Sequence, residues 1–175
     1  MQSVKVVVTG PSNAGKTTFI KSVSEITVLS TERQVSEAAG EGGGETTVAM
    51  DFGRITIADD VVLYLFGTPG QERFSFMWET LSEGMLGFVL LVDVTDDDSL
   101  EDAKAMIGFF KEMSDVPYVV AGNKVAEDDT EALAQLRTQL ELEDAVPLFA
   151  LDAREKESVK AVLLGLLYEI VESMG

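Results

Sequence analysis

The sequence contains no cysteine, which excludes a disulfide framework, thiolate metal sites, cysteine nucleophiles, S-palmitoylation and prenylation at a C-terminal cysteine. Redox chemistry therefore does not set its compartment. No apolar run reaches the ~18–20 residues that a bilayer-spanning helix needs. The start, Met1-Gln2, lacks the second-position glycine of a myristoylation signal. The strand-like run Val4 to Val8 follows without a basic leader or cleavage site. The expectation is a cytoplasmic protein with no direct membrane anchor. Positive charge is also scarce, since 13 Lys and Arg stand against 31 Asp and Glu for a formal net charge of −18. Binding a nucleic-acid backbone requires the opposite sign, so no nucleic-acid partner is expected. Wholesale disorder is excluded all the same, because 46% of the residues are hydrophobic and 25% are charged. A chain of 175 residues builds one hydrophobic core and is too short to divide comfortably into two.

The strongest signal present is a β-branched run, Val4-Lys5-Val6-Val7-Val8-Thr9, that ends at Gly10 and leads through Pro11-Ser12-Asn13-Ala14-Gly15-Lys16-Thr17-Thr18 into Phe19-Ile20-Lys21-Ser22-Val23. Strand, glycine-bounded turn and helix follow in the order of a phosphate loop, G-x-x-x-x-G-K-T. Gly10 and Gly15 allow successive backbone N–H groups to face one concavity, and the helix N-terminus adds further donors. Lys16 is expected to reach the β- and γ-phosphates, and the Thr17 hydroxyl to ligate magnesium. This motif identifies phosphate binding better than it identifies a base or a reaction.

Leu29 to Gly44 lacks an apolar period and ends in Gly40-Glu41-Gly42-Gly43-Gly44, which predicts a mobile connection. Val48, Met50 and Phe52 alternate along a strand continued by Ile55 and Ile57, and Asp59-Asp60 turns it into Val61 to Phe66, an antiparallel hairpin at the sheet edge. Gly67-Thr68-Pro69-Gly70-Gln71-Glu72-Arg73 ends the strand. Phe74, Phe76, Met77, Trp78 and Leu81 follow as core anchors, as a partner-binding patch, or as both. Further strands are predicted at Leu86 to Val92, Tyr118 to Ala121 and Val146 to Leu151. Helices are predicted near Ser99 to Met113, Thr130 to Leu142 and Arg154 to Val171. The succession predicts an α/β three-layer fold with a mostly parallel six-stranded sheet and one antiparallel edge strand, its functional loops beyond the carboxyl ends of the strands.

These segments, in this order, resemble the small Ras-like GTPases, most closely a bacterial branch of that P-loop GTPase family. The matching stretches are Gly10 to Thr17, Glu45 to Phe52, Gly67 to Phe74, Asn123-Lys124 and Asp152-Ala153-Arg154. The resemblance spans almost the whole chain and implies a single small GTPase-like domain over 1–175. It also implies a guanine-nucleotide switch that hydrolyses GTP to GDP and phosphate, slowly without a partner, with GTP or GDP and Mg2+ as its ligands. Gly10, Asn13, Ala14, Gly15, Lys16, Thr17 and Thr18 would cradle the phosphates. Thr47 would join Thr17 on magnesium, and the Gly70 N–H would meet the γ-phosphate. Asn123, Lys124, Asp152, Ala153 and Arg154 would hold the base.

Gln71 stands where the family places the residue that orients attacking water, and its amide both donates and accepts. With Lys16, it is a candidate catalytic residue. An arginine would add stabilisation of the transferred phosphoryl: Arg33, Arg54 and Arg73 lie near the two switch segments, each equally readable as a surface ion-pair residue. Arg33 leads because its loop is expected to fold over the phosphates, and a partner-supplied arginine is an equal alternative. The resemblance further implies a regulatory protein or effector, including a roadblock-type GTPase-activating partner, and a monomer or weak dimer.

Two departures matter. Gly67 occupies the position where the family carries a magnesium-supporting aspartate, so the expectation is either weaker magnesium support, with Thr17, Thr47, phosphate oxygens and water completing the shell, or a replacement acid, with Asp93 and Asp51 as candidates. Ala126 occupies the position of the aspartate that reads guanine N1 and N2, which weakens base discrimination unless Glu127 or Asp128 bends in. The alternative function is a nucleotide-dependent interaction module with little hydrolysis or relaxed base specificity. An ATPase or small-molecule kinase fits less well, because the second-switch and Asp152-Ala153-Arg154 segments follow the GTPase pattern.

Overall fold

A computed structural model describes residues 2–36 and 45–175, with side chains at all of these except 29–36, 45–49, 58 and 72. Its strands are β1 Gln2–Thr9, β2 Leu29–Ser36, β3 Glu45–Ala58, β4 Val61–Gly67, β5 Gly87–Asp93, β6 Tyr118–Asn123 and β7 Leu148–Leu151. The helices are α1 Lys16–Val23, α2 Ser75–Ser82, α3 Asp97–Met113, α4 Thr130–Gln139 and α5 Lys156–Met174, with a 3-10 turn at Glu72–Phe74. The strands form one sheet in the order β2-β3-β4-β1-β5-β6-β7. β1 pairs in parallel with β4 and β5, and the parallel set continues through β6 to β7. β3 runs antiparallel to both β2 and β4.

Alternation along the parallel strands divides the core into two layers, because successive side chains point to opposite faces. Val4, Val6 and Val8 of β1 join Val89 and Leu91 of β5 beneath α1 and α5, where Phe19, Ile20, Val159, Val162, Leu163 and Leu166 are buried. Val7, Phe88, Leu90 and Val92 face the other way, against Trp78 of α2, Ala103, Met106, Ile107 and Phe110 of α3, and Leu136 of α4. Burial on both faces explains why β1 and β5 read as continuous apolar runs. The α/β three-layer expectation is met.

One expectation is corrected. The sheet has seven strands among the described residues where six were predicted, because Leu29–Ser36 pairs with β3 along its whole length, Leu29 opposite Phe52 and Ser36 opposite Glu45. The antiparallel strand is consequently not at the edge. The remainder of the predicted connection, 37–44, lies outside the described residues. At the opposite end of the β3–β4 hairpin the Asp59-Asp60 turn forms as predicted, with a register shift between Thr56 and Ala58. No helix among the described residues is long and apolar enough to cross a membrane.

Parallel pairing brings the carboxyl ends of β1, β4, β5, β6 and β7 to one edge of the sheet. β1 lies at the centre, where consecutive connections leave toward opposite sides, and the loops after the strands meet there.

Candidate functional site

The turn after β1 has Gly10, Asn13 and Gly15 at positive φ, 147°, 66° and 107°. A backbone alternating in this way points successive N–H groups to one side and forms an anion-binding concavity. Gly15 precedes α1 without any side-chain cap, and the first turn of the helix carries no acid, so its N–H groups face the loop. A Cβ at Gly15 would lie 2.5 Å from Asn123 Nδ2, so the residue must be glycine for the β6 loop to approach. Lys16 is buried, and its ammonium donates to the carbonyls of Gly10 at 2.6 Å and Pro11 at 2.8 Å. Burial lowers its pKa to about 8, against the opposing pull of the Asp51 carboxylate. An incoming polyphosphate would stabilise the charged form by pairing with it and raise the pKa again.

Thr17 and Thr18 are exposed at the mouth of this cradle. The Thr17 hydroxyl donates to Asp51 Oδ2 at 2.6 Å, which ties α1 to β3. Asp51 was only one of two candidate acids in the sequence. The other, Asp93, is committed elsewhere: its Oδ2 pairs with Lys124 Nζ at 2.8 Å, and its Oδ1 accepts from the Thr95 N–H at 2.9 Å and hydroxyl at 2.6 Å. Burial raises the Asp93 pKa, but the Lys124 and Thr95 hydrogen bonds outweigh it and hold the carboxyl below its ordinary value.

The loop after β4 packs directly on the phosphate loop. A Cβ at Gly70 would collide with the Ser12 amide nitrogen and would lie 2.7 Å from the Pro11 carbonyl carbon and 2.8 Å from Lys16 Nζ. Only glycine allows this approach. The loop is anchored on both sides: the Thr68 N–H donates to the Val8 carbonyl at 3.0 Å, and the Thr68 and Thr9 hydroxyls share a hydrogen bond of 2.8 Å. The Trp78 indole N–H donates to the Pro69 carbonyl at 2.7 Å. Gln71 is exposed, its Oε1 accepting from Arg73 Nε at 2.7 Å, and it lines a cavity of about 520 Å³ with Pro11, Ser12, Asn13 and Gly70. Of the predicted aromatic cluster, Phe74 and Trp78 enter the core while Phe76 stands 58% exposed, so the segment serves both as anchor and as surface.

The base-site residues converge on Asn123, which is buried at the end of β6. Its Nδ2 donates to the Ala14 carbonyl at 3.1 Å, and its Oδ1 accepts from the N–H of Ala153 at 3.2 Å and of Lys124 at 3.1 Å. One amide thus ties the phosphate loop to the loops after β6 and β7. Ser22 adds a second tie through its hydroxyl to the Ala153 carbonyl. Asp152 holds Arg154 in a two-pronged pair, Nε to Oδ1 and Nη2 to Oδ2, each 3.1 Å, and accepts from the Arg154 N–H at 3.0 Å. Arg154 keeps the Asp152 carboxyl below its usual value.

Asn13, Gly15, Thr18, Asn123, Lys124, Asp152, Ala153 and Arg154 line a single cavity of about 630 Å³, with Ala126 on its wall. That volume lies within the ~300–1,000 Å³ typical of small-molecule sites. Glu127 lines a neighbouring cavity instead, and Asp128 is exposed and lines neither, so the expected replacement for the missing base-reading carboxylate does not come from these two acids. Arg33 lies in β2 opposite Val48, and Thr47 in β3 opposite Gln34. Their side chains are outside the described residues, as are any contacts these make with the cradle. Arg54 sits farther along β3, opposite Tyr64. Among the described residues no group of three or more acidic side chains is poised to hold a metal alone.

Sequence reasoning missed Thr9, Ser22 and Ser158, whose hydroxyls brace the loops without any motif to mark them; Ser158 Oγ accepts from the Asp152 N–H at 3.0 Å. The position of Thr9 at the carboxyl end of β1 was the one available signal.

A family model described as "conserved hypothetical ATP binding protein" matches residues 8–131. An uncharacterized protein of Methanocaldococcus jannaschii is 32% identical over 126 residues, which cover 72% of this chain and 73% of that protein. The Ras-related protein Rab-3 of Caenorhabditis elegans is 27% identical over 178 residues, covering 98% of this chain and 75% of its own length. The Ras-related protein Rab-8B of Homo sapiens is 25% identical over 177 residues, covering 98% and 80%.

Proposed function

The chain belongs to the family of conserved hypothetical ATP binding proteins and is a nucleotide-binding P-loop protein of GTPase-like type; from that premise we propose that it is a guanine-nucleotide switch that hydrolyses GTP slowly. The observation carrying this reading is the single cavity shared by the phosphate loop and the Asn123, Asp152 and Ala153 loops. A nucleotide laid along it and into the adjoining hollow lined by Lys16 and Thr17, which shares Asn13, Gly15 and Thr18 with it, would have its phosphates at Lys16 and its base at Asn123. The likeness to Ras-related proteins over 98% of the chain supports a switch, while the ATP in the matching family's description makes the choice of base the point to be tested.

In this reading the Lys16 ammonium and the loop N–H groups neutralise charge on the transferred phosphoryl. Gln71, beside Pro11, Ser12 and Asn13, orients water for in-line attack on the γ-phosphate. Magnesium fits the donor set, since Thr17 and Asp51 present hard oxygens at the cradle mouth. Lacking a cluster of three acids among the described residues, the cation would complete its shell with phosphate oxygens and water. When bound it would neutralise the β- and γ-oxygens. The γ-phosphate would be sensed by the Gly70 N–H and Thr47, and its loss would release the segment bearing Phe76 to a protein partner. The net charge of −18 favours a basic patch on that partner.

A second reading, relaxed base preference, is favoured by Ala126 on the cavity wall with neither Glu127 nor Asp128 lining it. Titration of GTP, GDP and ATP with and without magnesium, followed by phosphate release, separates the readings. Tight GTP and GDP binding with at least tenfold weaker ATP supports the switch, equal affinities support relaxed preference, and ATP preference overturns the guanine assignment. Gln71→Leu is expected to slow phosphate release by about 10²-fold with binding retained; unchanged turnover would remove Gln71 from the chemistry.

A further inference from the structure

Gly67 at the end of β4 has no side chain with which to accept a hydrogen bond from the Thr17 hydroxyl. β3 runs antiparallel to β4 with Asp51 directly opposite Gly67. A Cβ built on Gly67 would lie 3.2 Å from Asp51 Cβ, 3.5 Å from Asp51 Oδ2 and 3.0 Å from Ile20 Cδ1. The Asp51 side chain therefore lies against the space that a side chain at 67 would take. Its Oδ2 accepts the Thr17 hydroxyl proton at 2.6 Å.

We propose that Asp51, reaching across from the neighbouring antiparallel strand, is the acid that supports a nucleotide-bound magnesium ion in this protein, and that Gly67 is glycine to make room for it. A hydroxyl has one proton to donate and two lone pairs. With the proton directed to Asp51, the lone pairs of Thr17 face away from the carboxylate and are available to a cation. The charge of Asp51 is also felt at the Lys16 ammonium, so the group stands within electrostatic reach of the cradle's lysine. Asp93 pairs with Lys124 and Thr95, whereas the Thr17 hydroxyl donates to Asp51. The arrangement moves one carboxylate from one strand to its cross-strand partner and keeps the hydrogen bond to Thr17. It makes 51 and 67 a coupled pair: two aspartates would crowd each other, and two glycines would leave Thr17 without its acceptor.

This inference rests on the nucleotide-binding reading above, and the test separates the two. Release of N-methylanthraniloyl-GDP is followed against Mg2+ concentration for the wild type, Asp51→Asn and the reciprocal swap Asp51→Gly with Gly67→Asp. Mn2+ affinity of the GDP complexes is read in parallel by electron paramagnetic resonance. Asp51→Asn is nearly isosteric, and GDP binding in EDTA together with far-ultraviolet circular dichroism reports that it is folded. The expected result is a ~10–100-fold higher Mg2+ requirement for slowing release in Asp51→Asn, with a matching loss of Mn2+ affinity. Recovery of either quantity in the swap supports the coupling of the two positions. Equal Mg2+ requirements in wild type and Asp51→Asn would overturn the inference and leave the nucleotide reading standing. A wild type that holds no GDP under any condition would overturn both.

Discussion

Lys16 shows how a single residue is prepared for its task. Its ammonium is buried, bonded to two carbonyls of its own loop, and held to a pKa of about 8 by burial. A buried cation with only neutral acceptors is far less well matched than one facing a polyphosphate, so the binding of phosphates and the charge of Lys16 support each other. Removing it by Lys16→Ala is expected to weaken GDP by about 2–5 kcal/mol, the range for truncating one partner of a buried charged hydrogen bond. Isothermal titration reads this directly, and a loss below tenfold would mean that the phosphates lie elsewhere. At the same scale the motif from Gly10 to Thr18 was legible in the sequence because its constraints are local: backbone shape, a helix start and one reaching cation. The role of Asp51 was not legible, since it depends on which residue of a distant strand falls opposite Gly67. Ala126 announced a missing carboxylate, but only the cavity lining shows that Glu127 and Asp128 do not replace it.

Among the elements, α2 and the loop before it form one unit. Trp78 stacks on Phe110 with ring centroids 5.8 Å apart, meets Phe109 edge-on at 5.2 Å, and bonds the Pro69 carbonyl. A shift of Gly70 away from Ser12 is therefore transmitted to α2 and α3 through one buried ring. Trp78→Phe keeps most of the apolar surface but leaves the Pro69 carbonyl without its donor, an expected cost of about 1–3 kcal/mol in urea unfolding followed by circular dichroism. No change in the unfolding midpoint would mean that the loop is not tethered in this way. β2 teaches the complementary lesson about sequence. Leu29, Ser30, Thr31, Glu32, Arg33, Gln34, Val35 and Ser36 carry two apolar residues and no alternation. This strand is specified by backbone pairing to β3, which leaves no periodic mark in the side chains. α3 and α5, by contrast, follow the 3.6-residue spacing of their apolar residues: Ala103, Met106, Ile107 and Phe110 are buried on α3, and Val159, Val162, Leu163, Leu166 and Ile170 on α5, with Leu167 of the same stripe only partly so.

Across the whole molecule, the sheet order gathers loops from distant parts of the chain at one edge. Asn123, Ala14 and Ala153 are bound together there although they lie more than a hundred residues apart at the extremes. The same edge carries the Gly70 contact, so a nucleotide seated in the cradle adjoins the loop that holds Trp78. Because the chain has one tryptophan, its emission reports that loop and the α2–α3 contact it is tied to. The most direct test of the switch is to compare Trp78 emission, under saturating Mg2+, between protein loaded with GDP and protein loaded with a non-hydrolysable GTP analogue. Two distinct spectra, with the analogue spectrum unaffected by time and the GTP spectrum decaying to that of GDP, are the predicted result. Identical spectra for the two nucleotides at proven saturation would contradict the claim that the terminal phosphate is read through Gly70.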